Sequence, residues 1–410
     1  MKRKMARLAC ILAACSLAVA SVSIPVAAKI TEALEENVEK DLTCYNMDIS
    51  IQTVDKIVEL QSGKNIMFSP TSLNFALGML QSGAEGNSKD ALSDYLGTDD
   101  FASYAKSYMN RICDFNTDDK TNDYQTKLSI ANAVWVDNQI ALKDEFEDTV
   151  SEYFSAMIEN LDFSKAEEAS KIINDWCDEK TEHLIPEIVT PDALNNNTGL
   201  CLTNSLYFEA GWDGDPWSVE TEEDDFGSDG EKTTYMTCKA DQYYENDQAT
   251  AFARSYINGL QFIGILPKED GDFTLEDLDI PGLLESKPDY ASVNARMPKL
   301  DYTTSVELTD ILSGLGLEQI FSNTADFSGI SDVPTFVSSI IQKTNLQLDE
   351  NGTKAAAVTA AVIECMAALS EEEPKEVNLN RPFVFLIYDA EAKEPLFVGK
   401  VVTMIDENSR

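Results

Sequence analysis

Apolar positions early in the chain recur at helical spacing. Ile49, Val54, Ile57 and Val58 mark one face of a helix over 49–60. A second helix starts at Ser69-Pro70, with Ser as N-cap and Pro at the first helical position. Leu73, Ala76, Leu77 and Leu80 form its expected buried stripe, and Gly83 its stop. Asn87 or Ser88 is expected to cap a third, short helix ending near Gly97. A helix over 165–180 should bury Ile172, Ile173 and Trp176, and 306–317 should be helical, with Gly314 and Gly316 at its exit. Strand patterns lie between these. Residues 128–136 alternate and are rich in β-formers, and 200–208 and 260–266 are nearly continuous apolar runs of the kind found in central strands. Residues 383–388 and 396–404 read as a hairpin around 389–395. No repeat or Pro/Gly/Ser linker divides the chain, and helices and strands do not alternate as βαβ units, so the pattern predicts one large mixed α and β domain.

One stretch resists a single reading. Residues 349–374, DENGTKAAAVTAAVIECMAALSEEEP, have the side chains of a buried strand and the flanks of an exposed loop. One register places Thr353, Ala355, Ala357, Thr359, Ala361 and Ile363 on the same face, a row of small groups. The other holds Lys354, Ala356, Val358, Ala360, Val362 and Glu364, with charges at its two ends. Asn351-Gly352 is a turn signal, and Pro374 cannot continue a central strand. Taken alone, the stretch reads equally well as an Ala-rich surface helix.

Composition narrows the setting. The chain has 410 residues and a formal net charge of −41. Lys2, Arg3, Lys4 and Arg7 precede an apolar run over 8–28, and Val26-Ala27-Ala28 offers a small-residue cleavage site, which reads as a secretory signal over 1–28. Secretion to the extracellular space is the expectation. Leu12-Ala13-Ala14-Cys15 also resembles a bacterial lipoprotein box, so lipid or signal anchoring stays open. Without 1–28 the chain keeps 27 basic and 72 acidic residues, a net charge of −45. Such a surface repels nucleic acid and heparin-like polyanions. Residues 29–44 read as a poorly ordered lead-in. Six cysteines remain after 1–28, namely Cys44, Cys113, Cys177, Cys201, Cys238 and Cys365, too sparse for a disulfide scaffold.

Catalytic motifs are missing. The single histidine, His183, has no nucleophile motif beside it, and no HExxH, GxSxG, P-loop or dinucleotide fingerprint occurs. The acidic run 222–225 lacks calcium-loop spacing and reads as solvated loop. Neither enzyme activity nor a cofactor or metal is expected.

A series of short motifs resembles the serpins, in that family's order and over about 45–405. The first is Asn65-Ile66, Phe68-Ser69-Pro70, Ser72-Leu73, Ala76-Leu77, Gly83-Ala84 and Gly86. Next come Leu128, Ala131-Asn132-Ala133 and Trp135-Val136, then Ile173-Asn174, Trp176 and Thr181, then Thr203 to Phe208 with Gly211-Trp212. Met297-Pro298-Lys299-Leu300, Leu315-Gly316, Phe321-Ser322-Asn323 and Ala325 to Gly329 follow. Asn380-Arg381-Pro382-Phe383 and Pro395 to Val401 close the series. Each motif is weak alone; their joint order is specific. The resemblance implies a single domain over 45–405, with three β-sheets, about eight or nine helices and an exposed reactive-centre loop at about 349–374. It implies a monomeric suicide inhibitor of serine or cysteine proteases that forms a covalent complex with its target. The alternative is a non-inhibitory binding or substrate protein on the same fold.

The resemblance also implies residue roles. The family's spacing from Gly352 places the scissile bond at Met366-Ala367, with Cys365-Met366 and Leu369-Ser370 as the alternatives, and a Met or small apolar residue there suits elastase-, chymotrypsin- or subtilisin-like pockets. The loop hinge is Glu350, Gly352, Thr353, Lys354, Ala355, Ala356 and Ala357, small apart from Glu350 and Lys354, as rapid strand entry requires. Lys354 stands where the family usually has an acidic residue. Ser69, Ser72 and Asn204 resemble the polar cluster beneath the gap that the strand enters, with Gln342 where the family often has histidine. Trp212, and a Lys299–Glu350 ion pair, belong to the top of the gap. Asn351-Gly352-Thr353 is also a formal glycosylation signal.

Overall fold

The computed structural model describes residues 47–116, 126–194, 198–228, 230–286, 288–289, 293–353 and 374–404. The expected signal sequence, the lead-in, Lys354 to Ala357, Met366-Ala367, Cys44 and Cys365 lie outside them. In chain order the elements are α1 (Met47–Leu60), β1 (Ile66–Phe68), α2 (Pro70–Gly83), α3 (Gly86–Leu96), α4 (Phe101–Phe115), β2 (Lys127–Asp137), α5 (Asp144–Phe154), β3 (Met157–Leu161), α6 (Ala166–Lys180), β4 (Leu200–Gly211), β5 (Ser218–Phe226), β6 (Glu231–Ala240), β7 (Gln242–Glu245), β8 (Ala249–Ser255), β9 (Gln261–Pro267), α7 (Ile280–Glu285), β10 (Val293–Pro298), β11 (Leu300–Glu307), α8 (Thr309–Leu312), β12 (Ile341–Asp349), β13 (Gly352–Thr353), β14 (Lys375–Asn378), β15 (Phe383–Asp389) and β16 (Glu394–Val401).

These strands make three sheets, in the orders β1-β16-β15-β9-β8-β7, β14-β10-β6-β5 and β11-β12-β13-β4-β2-β3. With eight α-helices among the described residues, this is the mixed architecture expected. Helix α2 threads the middle, and twelve of its fourteen residues are buried, so it is packed all round rather than along one stripe. Its start is as the sequence implies: Ser69 caps it by accepting from the Ser72 amide, and Pro70 follows. Its end differs in cause. Gly83 is needed because a Cβ there would lie 2.2 Å from Ile330 Cγ1, not because it turns left-handed. Helix α6 lies over the sheet that contains β4, with Trp176 edge-on to Trp135 of β2 at 5.8 Å between centroids. Ile173 is buried there, and Ile172 and Trp176 are partly so.

Several expectations need correction. Helix α3 is preceded by Glu85 as N-cap, and Asn87 and Ser88 sit inside its first turn. Ser88 is used differently: its hydroxyl accepts from the Asp326 amide, which ties the helix to a distant loop. The expected helix over 306–317 starts later, because Val306 belongs to β11: the α-helix Thr309–Leu312 runs on into a π turn over Ser313–Leu317, in which Leu315 and Gly316 leave helical geometry. Gly316 turns left-handed there, at φ 100°. The acidic run 222–225 is a strand, not a loop. It forms part of β5 at the edge of its sheet, where Arg296 and Lys232 offset part of its charge. Charged side chains on an edge strand are a familiar guard against pairing with other chains.

Candidate functional site

The region of interest is the middle of the sheet β11-β12-β13-β4-β2-β3. Strand β12 leaves the sheet at Asp349, turns through Glu350 and Asn351, and re-enters as β13. Gly352 and Thr353 pair with Asp349 and Leu348 on one side, and with Gly211 and Ala210 of β4 on the other. Among the described residues, β12 and β4 do not pair directly; they are joined only through these two residues. The segment expected to be the loop hinge therefore begins inside the sheet. This corrects the expectation of an exposed loop starting at 349: Gly352 and Thr353 are buried.

Sequence and space together explain why these residues stand there. A Cβ on Gly352 would lie 2.2 Å from the Ala210 carbonyl oxygen and 2.8 Å from Gly211 Cα, both backbone atoms. Gly352 also has φ 155°. Thr353 points into the core, where its hydroxyl lies 2.7 Å from the Tyr256 hydroxyl. Tyr256 stacks on Trp212 at 4.5 Å between centroids.

Tryptophan groups hold the turn itself. Trp212 donates from Nε1 to the Asp349 carbonyl and from its backbone amide to the Asn351 carbonyl, both at 3.1 Å. The Trp217 amide donates to the Glu350 carbonyl at 2.9 Å. Three successive carbonyls of the turn are thus satisfied from one side, as buried backbone demands. Lys299 meets Glu350 as an ion pair above the turn. Burial opposes the Glu350 charge, but Lys299 and a backbone amide hold its carboxyl below the usual carboxylate range.

Lower in the sheet, the expected polar cluster is assembled under β4 and β12. Gln342 clamps the cap of α2: it accepts from the Ser69 amide at 2.7 Å and donates to the Ser69 carbonyl at 2.9 Å. The Ser72 hydroxyl donates to Asn204 Oδ1, and Asn204 Nδ2 donates to Asn132 Oδ1 at 2.6 Å. Asn132 in turn donates to the Phe154 carbonyl. Gln342 thus supplies both a donor and an acceptor with no titrating group. Asn132, Tyr256 and Trp217 had no assigned role in the sequence; only their packing around the turn and the cluster reveals one.

His183 is exposed and left-handed, with Nδ1 2.6 Å from Asp178 Oδ2. Cys113, Cys177, Cys201 and Cys238 are free thiols. Burial pushes Cys177 up to about 11 and Cys201 and Cys238 up to about 12, far from nucleophilic thiolates at neutral pH.

A family model described as Serpin (serine protease inhibitor) matches residues 45–404. The chain belongs to the serpin family. Alpha-1-antiproteinase 2 of Equus caballus is 31% identical to this serpin over 387 residues, covering 90% of this chain and 89% of the relative. The native-state structure of the thermophilic serpin tengpin is 28% identical, with a TM-score of 0.76, covering 90% of this chain and 95% of tengpin. Human thyroxine-binding globulin in complex with its hormone shares the fold at 23% identity and a TM-score of 0.75, covering 90% of this chain and all of that one.

Proposed function

We propose that this serpin is a suicide inhibitor of serine proteases that works by loop insertion. One observation carries the reading: Gly352 and Thr353 already pair with both β12 and β4, while those two strands do not pair with each other among the described residues. The register set by these pairs, carried on, brings residue 359 level with Asn204 and Gln342, and residue 363 level with Leu200. The row of small side chains at 353, 355, 357, 359 and 361 then faces the same side as Thr353.

The chemistry follows from the target enzyme. Its serine attacks a peptide bond of the loop, with Met366-Ala367 the proposed one, and forms an acyl-enzyme. Severing the bond frees the segment after Thr353 to add as a strand between β4 and β12. The bound protease would travel on the order of 50 Å at about 3.3 Å per residue. New pairing on both sides, at a net ~0.5–1.5 kcal/mol per hydrogen bond, would contribute on the order of 10 kcal/mol. The protease is distorted before water releases it. This chain then acts as bait rather than as catalyst. Lys354 is the last basic residue before Lys375, so elastase-, chymotrypsin- and subtilisin-like enzymes are the proposed targets and trypsin-like ones are not. A secreted, monomeric protein fits such a role.

Incubation with elastase or subtilisin tests it. An SDS-resistant complex, with mass spectrometry placing the cut at Met366-Ala367, supports inhibition. Clean cutting with full release of active protease would support a non-inhibitory member.

A further inference from the structure

The hinge turn holds a second kind of chemistry. We propose that Asn351-Gly352 is a deamidation site, and that its conversion is a built-in limit on the inhibitor's working life. The proposal rests on the inhibitory reading above for its consequence, though not for its chemistry.

An asparagine before glycine can cyclise because no Cβ shields the following amide nitrogen. The Gly352 nitrogen bonds to Asn351 Cγ, the Cγ–Nδ2 bond breaks, and the side-chain amide leaves as ammonia with the amide proton. Water then opens the ring at either carbonyl, giving aspartate or isoaspartate. The chain has two Asn-Gly pairs, at 351–352 and 258–259, and the fold treats them differently. Asn258 is tethered, for its Oδ1 accepts from the Leu260 amide at 3.1 Å, and the Gly259 amide donates to the Tyr256 carbonyl at 2.9 Å. At Asn351 the backbone is engaged instead: its amide donates to Asp349 Oδ1 and its carbonyl accepts from Trp212. Among the described residues, no hydrogen bond holds its side-chain amide. Gly352 is buried and paired on both sides, though through β13, a ladder two residues long.

The consequence is geometric. Isoaspartate carries the backbone through Cβ, adding an atom between the Trp212 contact and Gly352. Gly352 fits β4 only at its present spacing, with a Cβ-sized group excluded by the Ala210 carbonyl. Aspartate would add a charge beside Asp349 and Glu350. Either product weakens the entry of β13 into the sheet.

The test is ageing of the intact protein for days at mildly alkaline pH, followed by peptide mapping of both Asn-Gly sites and enzymatic methylation of isoaspartate. Conversion at Asn351 ahead of Asn258 is expected. Covalent complex with elastase should fall, and cleaved, released inhibitor should rise, in proportion to the fraction converted. An Asn351→Gln protein, compared with its own fresh sample, should keep its starting complex yield through the same ageing. Asn351 unchanged while Asn258 converts would overturn the proposal, as would equal loss of activity in the Asn351→Gln protein. Failure of fresh wild-type protein to form any complex would instead sink the inhibitory reading, while the mapping still reads the chemistry at Asn351.

Discussion

Gly352→Ala offers the sharpest test of the hinge. It adds one methyl at a point where the nearest atoms, the Ala210 carbonyl oxygen at 2.2 Å and Gly211 Cα at 2.8 Å, belong to a central strand. Ala210 directly follows the last pair of β4 with β2, Lys127 with Glu209, and the Gly211 carbonyl accepts from the Ile257 amide, so neither is free to give way. Overpacking of this kind costs about 1–3 kcal/mol, and forcing an alanine to φ 155° costs about 1–3 kcal/mol more. Against this stands the ladder of β13, about four hydrogen bonds at ~0.5–1.5 kcal/mol each, and the Thr353–Tyr256 contact. The two sides are of similar size, so one methyl is enough to cancel the advantage of the paired hinge. The protein should still fold, because the core beneath is untouched. Its loop should enter the sheet slowly after cleavage, and much of the protease should escape. The assay has two arms: melting before and after nicking by elastase, and the yield of SDS-resistant complex. Wild type should melt far higher once nicked, and the variant should gain much less and give mostly cleaved inhibitor. A variant with the same rise and the same complex yield as wild type would refute the steric argument.

Further outcomes follow from the same contacts. Gln342→Ala leaves the Ser69 amide buried without a partner and the Ser69 carbonyl with only the Leu73 amide, so native stability should fall by about 1–3 kcal/mol in denaturant melts. Tyr256→Phe removes only the Thr353 contact and should cost about 1 kcal/mol, read the same way, with a larger relative loss of complex yield. Glu350 has a carboxyl held below its ordinary value, so its stabilising effect is present above that value and is lost as pH falls through the folded one. The pair is partly exposed, so Lys299→Ala should change stability by at most about 1 kcal/mol while shifting tryptophan emission from Trp212 and Trp217 in acid. Glu394 is pushed up to about 8 by burial, with Asp389 adding to the rise and the hydroxyls of Tyr104 and Thr71 opposing it. The native state thus keeps a proton that the unfolded chain loses near 4.5, and stability from this group is lost as pH climbs from there through 8. The loss is on the order of a few kcal/mol, and Glu394→Gln should flatten it in denaturant melts across that range.

Much of this was legible in the sequence where a local rule and the tertiary context agree. Ser69-Pro70 announces a helix start, and the structure uses both residues that way. The hairpin of β15 and β16 is apolar apart from Asp389, Glu394 and Lys400, and is buried on both faces. Legibility failed where a residue serves a distant partner. Gly83 looks like a stop signal but answers to Ile330 and Gly329. Ser88 looks like a cap but accepts from Asp326. The acidic β5 has poor strand propensity and is held by pairing to β6 and by the guanidinium of Arg296, which no window of local sequence contains. At the hinge, the small residues were visible, but the entry of Gly352 and Thr353 into the sheet depends on Trp212, Trp217 and Tyr256, a hundred residues or so away.

The first turn of α2 is where the stable and the changing parts of the molecule meet, and pH acts on them differently. On one side Ser69 and Ser72 contact Gln342 and Asn204, and none of the four titrates. Neutral hydrogen bonds of this kind break and re-form without exchanging protons, so the proposed parting of β4 and β12 for a new strand would cost the same from pH 5 to 8, above the range in which Glu350 titrates. On the other side Thr71 donates to Glu394, which lies near Asp389 with its paired Arg111. That cluster ties α2 and α4 to β15 and β16, which the proposed insertion leaves in place. With histidine at position 342, one proton would couple the opening of the sheet to pH. With Gln342 the coupling is gone, and pH sets how firmly the frame holds rather than how readily the sheet opens. A rate of loop insertion that is level from pH 5 to 8, at roughly constant protease acylation, is the expected signature. A rate that instead tracked the Glu394 titration would mean that opening the sheet strains the frame as well.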